Sequence, residues 1–294
     1  MPDVYIVVLD QAPDAVRALL FDSEARRVEG YSAQLPRRAE AAADCLDEMH
    51  RLVQAAGFSV GAVMGRAENE VTAEDRKYWP AFEGASWFGD LPPGSGVMLG
   101  SGCVSRDRFG LILTSERSML GTVIECELQV AGLACVPIDE KRWLFSGELP
   151  EAGEAYASLK QAIKGSVEEF LDTAVPGDPR LAALESARQR IREVYEKLSR
   201  ALDSRNELKQ GFAAPQVIGC GAALQKSPAW TMMIAETLGV PLTLSTEPEP
   251  GCRGSALWAL ERLGAIEHLR VLPASMGRVF QSKALGAMAM RRWD

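Results

Sequence analysis

The residues of this chain best suited to chemistry gather around a glycine break. Gly219-Cys-Gly221 interrupts a short apolar run that ends at Val217-Ile218. Glycine is the residue that lets a backbone turn tightly or pass close to a ligand. Six residues on, Ser227-Pro228 has the form of a helix start. The serine hydroxyl can accept from a free amide, and proline stands where a missing N–H costs nothing. Zinc chemistry finds little support. The six cysteines show no C-x-x-C spacing, and His50 and His268 are the only histidines. Such cysteines read as reduced, mostly buried thiols of a cytoplasmic protein.

The elements that must hold this turn follow from the apolar pattern. Around it the order is strand, glycine turn, helix, strand, turn, helix. Met233, Ile234 and Leu238 give the first helix an apolar face, and Gly239 ends it. Val240–Leu244 is the second strand, and Cys252–Leu263 the second helix, with Gly264 as its stop. At the other end of the chain, Val4–Leu9, Val16–Asp22 and Arg27–Gln34 read as three hairpin-connected strands. A helix over residues 37–56 and a strand at Phe58–Met64 follow. Three such strands and a helix suggest an RNase H-like half. In the middle, Gly132–Asp139 and Arg142–Ser146 read as strands, and Ala152–Ile163 and Pro179–Arg205 as helices. Ser166–Pro179 reads as a connection with a Pro-Gly turn, and His268–Asp294 as a polar tail over the surface or against a partner.

Composition sets the outer limits. The chain has 294 residues, enough for two domains, and a formal net charge of −8. That charge argues against broad binding to nucleic acid or to an anionic membrane. No apolar run approaches the roughly 20 residues that cross a bilayer. The opening MPDVYIVVLDQ lacks a basic leader and enters a strand directly, so no signal peptide is expected.

Four pieces of the C-terminal third resemble the signature of the FGGY carbohydrate kinases, in the branch that includes gluconate and xylulose kinases. They are Gly221-Ala-Ala-Leu224, Ser227-Pro-Ala-Trp230, Ile234-Ala-Glu-Thr-Leu-Gly239, and Glu249-Pro-Gly-Cys-Arg-Gly-Ser-Ala256. Near the N-terminus, Asp10 and Val16-Arg-Ala-Leu-Leu-Phe-Asp22 fit the same family. The resemblance implies an α/β chain with the actin-like/hexokinase ATPase fold, made of two RNase H-like domains. The first, residues 1–104, would be shortened, and the second, residues 105–294, would carry the adenosine-side motif. The resemblance also implies ATP and Mg²⁺ as cofactors and a sugar or polyol as substrate. Asp10 would meet the metal, while Thr114, Ser115, Gly221, Ala222, Gln225 and Ser227 would line the nucleotide.

The departures from the family are chemical. Its first phosphate loop offers amides and hydroxyls, whereas here Ala12, Pro13 and Asp14 stand in that loop. Proline has no N–H to give, and an aspartate repels phosphate. The family's catalytic aspartate falls on Pro93, with Ser95 nearby lacking a base of its own. An alignment shifted by three residues offers Asp90 as the base; otherwise Asp90 is an exposed loop aspartate. The second phosphate turn reads Leu113-Thr-Ser-Glu-Arg-Ser-Met119, without its glycines and with Glu116 added. Thr114, Ser115 and Arg117 could still serve phosphate there. The second glycine of the adenosine-side pair is Ala222, and the insert that builds the sugar pocket is missing.

Three functions fit this pattern. One is a pseudokinase with weak or vestigial nucleotide binding, acting as a subunit or regulator of an active kinase. Another is an active small-molecule kinase using Asp10 and Asp90. The third is a non-catalytic homodimeric scaffold. A shortened sugar domain would also leave apolar surface at Tyr78–Phe88, which favours self-association.

Overall fold

The computed structural model describes residues 4–65, 78–114, 117–175, 177–204 and 216–281. It divides into two compact units, Met1–Gly100 with Pro248–Pro273, and Ser101–Glu247 with Ala274–Asp294. Strands and helices are numbered below in chain order.

The first unit is built on β1 (Tyr5–Gln11), β2 (Ala15–Phe21), β3 (Arg27–Pro36), β4 (Val60–Met64) and β5 (Ser86–Phe88), in the order β3-β2-β1-β4-β5. β1, β2 and β3 form an antiparallel meander, and β4 and β5 run parallel to β1. Ile6, Val7, Val8 and Leu9 are all buried, because both faces of the sheet are covered. One face takes α1 (Ala41–Ala56), through Cys45, Leu46, Met49 and Val53. Each such large apolar side chain contributes about 1.5–3 kcal/mol when fully buried. Gly57 ends α1 in the left-handed conformation, φ +69°, as its glycine predicts.

The other face takes a helix from the far end of the chain, α8 (Pro250–Arg262), which packs on β1, β2 and β4. Against α8 lies α2 (Ser95–Gly100), so close that backbone meets backbone. A Cβ on Gly254 would sit 1.9 Å from the Gly96 carbonyl oxygen, and one on Gly100 would sit 1.7 Å from that of Pro250. The buried Arg253 guanidinium locks the crossing. It donates to the Gly100 carbonyl at 2.9 Å and to those of Leu272 and Pro273 at 3.0 Å each. The apolar patch expected at Tyr78–Phe88 does not form. Trp79, Phe82 and Trp87 turn inward into the α1 core, and of the aromatic side chains in this stretch only Tyr78 stands well exposed.

The second unit contains β6 (Arg108–Leu113), β7 (Ser118–Ile124), β8 (Ala134–Pro137), β9 (Trp143–Glu148), β10 (Gln216–Cys220), β11 (Leu242–Ser245) and β12 (Met276–Phe280). Their order is β12-β11-β10-β6-β7-β9-β8. Without the two outer strands this is β9-β7-β6-β10-β11, the order and the strand senses of the first unit again. The described helices are α3 (Pro150–Ala162), α4 (Val167–Thr173), α5 (Ala182–Ser204), α6 (Ala222–Lys226) and α7 (Pro228–Leu238). Leu184, Ile191, Val194 and Leu198 seat α5 in the core, and Trp230 is fully buried.

Three expectations change. The helix expected from Pro179 begins as a 3-10 turn, Pro179–Leu181, because the Asp178 carboxylate accepts from Arg180 N and caps it. The connection 166–179 contains α4, started by Ser166, which accepts from Glu169 N. The expected tail instead adds β12 antiparallel to β11, and residues 282–294 lie outside the described residues. No described helix is long and apolar enough to cross a membrane.

Two measurements test this packing. Gly254→Ala should cost about 1–3 kcal/mol of unfolding free energy in urea, the usual cost of overpacking, since the contact is with backbone that cannot turn aside. His50 supplies the second. Its Nδ1 accepts from Ala81 N at 3.2 Å, so the ring is neutral there. Burial lowers its pKa below the ordinary 6.5, with Asp47 opposing and Arg51 adding to the fall. A lowered folded value means that this stability is present above pH 6.5 and is lost as pH falls through the lower value. His50→Leu should flatten that part of the stability–pH curve.

Candidate functional site

In the first unit the carboxyl ends of β1, β4 and β5 share one edge of the sheet. Asp10 lies near the end of β1, and the exposed Asp90 lies two residues past β5. With β4 between them, their strands are about 10 Å apart at ordinary strand spacing. Asp10 is not free to meet an ion alone. Arg17 stands opposite it in the β1–β2 register and donates Nε at 3.0 Å and Nη2 at 2.5 Å to its Oδ2. The same guanidinium forks onto Glu249, the residue that precedes α8, with Nη1 to Oε1 at 2.8 Å and Nη2 to Oε2 at 3.1 Å. Burial alone would loosen the Arg17 proton. Hydrogen bonds and attraction to Asp10 and then to Glu249 outweigh it, so the cation holds its proton more firmly than an ordinary arginine.

These residues do not suit Mg²⁺ as they stand, because a guanidinium already occupies Asp10 Oδ2 and both Glu249 oxygens. Among the described residues no group of three or more His, Cys, Asp or Glu side chains could hold a metal. The first loop is equally closed. Residues 12–14 form a tight turn, with the Ala12 carbonyl accepting from the Arg37 guanidinium at 2.9 Å and the Asp14 carbonyl from Arg37 N at 3.1 Å. Ser95 opens α2 with its hydroxyl buried and unpartnered, so no base serves it.

In the second unit the ends of β6, β10 and β11 converge. Gly221 turns from β10 into α6 at φ +114°, where a Cβ would lie 2.1 Å from the Leu113 carbonyl oxygen. Only glycine lets this turn press against β6. Ala222 is exposed, and Gln225 reaches back from α6 to donate to the Ser245 carbonyl at 3.4 Å. The Thr114 hydroxyl is used inside its own turn, donating to the Arg117 carbonyl at 2.8 Å and accepting from Arg117 N at 3.0 Å. The Arg117 guanidinium pairs with Glu148 at 2.9 Å. Ser115 and Glu116 lie outside the described residues.

Ser227 departs from this group. Its buried hydroxyl accepts from Trp230 N at 3.2 Å and donates to the Glu168 carboxylate, which also accepts from Ala229 N at 2.9 Å. Glu168 reaches over from α4, so a carboxylate and a serine together cap α7. Burial pushes the Cys103 and Cys220 thiols up to about 12. For Cys252, burial and then the charges of Asp10 and Glu249 raise the thiol pKa well above the ordinary value.

No protein-family model matches the chain, and no curated protein matches it in sequence. Solved structures match throughout. Gluconate kinase from Lactobacillus acidophilus gives a TM-score of 0.65 at 13% identity, over 99% of this chain and 96% of that one. Ligand-bound xylulose kinase from the same organism gives 0.64 at 13%, over 98% and 96%. Xylulose kinase from Rhodospirillum rubrum gives 0.66 at 10%, over 98% and 96%. The class is therefore an actin-like α/β fold of two RNase H-like units. The similar structures include gluconate and xylulose kinases, the branch to which the sequence motifs pointed.

Three contacts at the candidate site escaped the sequence reading. The Asp10–Arg17 pair had a signal, since a tight turn at residues 12–14 sets those two residues opposite each other. Glu249 and Glu168 had none, being 232 and 59 residues from their partners. The α7 cap is directly testable. Glu168→Ala should cost about 0.5–2 kcal/mol of stability in urea unfolding, the range for losing a cap.

Proposed function

We propose that this protein is a sugar-kinase-fold pseudokinase: it retains the fold and has lost phosphoryl transfer. The observation that carries this reading is the engagement of the Asp10 carboxylate by Arg17. Phosphoryl transfer depends on positioning and on neutralising charge around the phosphates, and a metal ion ordinarily does much of that work. Other features support the same reading. Pro13 offers no amide, the Thr114 hydroxyl is tied into its turn, and Pro93 stands where the resemblance asks for a carboxylate. Nucleotide binding, where it persists, is weak and falls on the Gly221–Gln225 turn, with Ala222 narrowing the adenosine side. The protein then acts through a partner, as a subunit or regulator of an active kinase or as a homodimer, in the cytoplasm.

One observation favours a reduced but active enzyme. Asp90 is exposed on the same sheet edge as Asp10, where it could serve as base toward a sugar or polyol hydroxyl.

Titration calorimetry with ATP and Mg²⁺, followed by a coupled ADP-release assay over a panel of sugars and polyols, separates the two. The pseudokinase reading expects little or no heat at millimolar ATP and no sugar-dependent ADP. One-site heat with sugar-dependent ADP release that disappears in Asp90→Asn would establish the active enzyme instead.

A further inference from the structure

The carboxylates of Asp10 and Glu249 face a cation that is part of the chain. All three guanidinium nitrogens of Arg17 are used on them, at 2.5–3.1 Å. The three side chains are 22–32% exposed, so the cluster is sheltered without being sealed from solvent. We infer that Arg17 is the resident cation of this carboxylate pair, seated where a divalent ion would need to be, and that it excludes such an ion from Asp10.

Geometry and hydration both favour the guanidinium. Its planar fork fits a carboxylate edge-on and sheds water easily, whereas Mg²⁺ dehydrates reluctantly and holds its oxygens at about 2.1 Å. An ion at that distance from Asp10 Oδ2 would have to displace Nε and Nη2 together. The register also places Arg17 beside Asp10, so little chain entropy is lost in bringing it there. Glu249 occupies the position before α8 and its carbonyl accepts from Arg253 N at 2.9 Å, but its side chain caps no amide there. The bridge thus ties the end of β1 to the start of α8 and stands in for a bound metal as a structural tie within the first unit.

The inference concerns the same site as the proposed loss of catalysis, and its test uses neither nucleotide nor sugar, so either can fail alone. The probe is Mn²⁺ added to the full chain, with free ion followed by electron paramagnetic resonance. Wild-type protein should show no stoichiometric site. Arg17→Ser should gain one, at least tenfold tighter than any wild-type binding, and Arg17→Ser with Asp10→Asn should lose it again. Circular dichroism reports whether each variant folds. If Arg17→Ser does not fold, comparison of wild type with Asp10→Asn still decides. A one-to-one wild-type Mn²⁺ site that Asp10→Asn removes would overturn the inference, and its absence supports it. A folded Arg17→Ser protein that gains no site would also overturn it.

Discussion

The first unit depends on two helices crossing at backbone contact. α2 and α8 can approach so closely only because Gly96, Gly100 and Gly254 carry no side chain. The Gly100 carbonyl, at the C-terminal end of α2, has no intrahelical partner, as at any helix end, and Arg253 from α8 supplies one. Arg253 is almost wholly buried, a costly place for a charge unless its donors are satisfied. Carbonyls of residues 100, 272 and 273 satisfy them, so one side chain fastens α8 to α2 and to the segment that follows α8. The rest of the unit follows from that placement. With α8 fixed against β1 and β2, Glu249 at its start reaches Arg17, and the sheet gains the cover its doubly apolar strands require.

Both units show polar groups of the candidate site turned inward, to the protein's own use. Arg17 joins Asp10 to Glu249, Thr114 closes a hairpin turn, and Ser227 shares the α7 cap with Glu168. A side chain with all its donors and acceptors spent on neighbours gives a ligand little beyond what water already gives it. Gly221 belongs to the same pattern. Its positive φ is required by contact with Leu113, whatever else passes that turn. Asp10, Thr114, Gly221 and Ser227 are among the positions the FGGY resemblance assigned to metal and nucleotide, and at these four the local structure uses the residue itself.

Sheet topology gives the two units a common plan. A three-strand meander followed by two parallel strands occurs in both, and the second unit adds an outer strand on each side. The meander was legible because Val4–Leu9 and Val16–Asp22 are apolar runs joined by a short turn at Pro13. The added strand β12 was not. Met276–Phe280 is mostly exposed, so its pairing comes from the open edge of β11 and leaves little apolar pattern in the sequence. Helix α4 was hidden for a related reason, since at seven residues it is too short to show a convincing helical period.

By itself the sequence determined the local elements: strands with continuous apolar runs, helices bounded by Ser227-Pro228, Gly57 and Gly239, and a turn that only Gly221 can make. It also showed where the chain departs from the FGGY resemblance, with Pro13 and Pro93 at positions for which that resemblance expects other groups. Tertiary structure alone decided that residues 248–273 join the first unit, that Arg17 faces Glu249 as well as Asp10, and that Glu168 caps α7. The physical reason is range. Backbone preferences and apolar periodicity act over a few residues and are written locally. The partner of a charge is whichever opposite charge the packed chain brings within about 3 Å, and no spacing in the sequence records that.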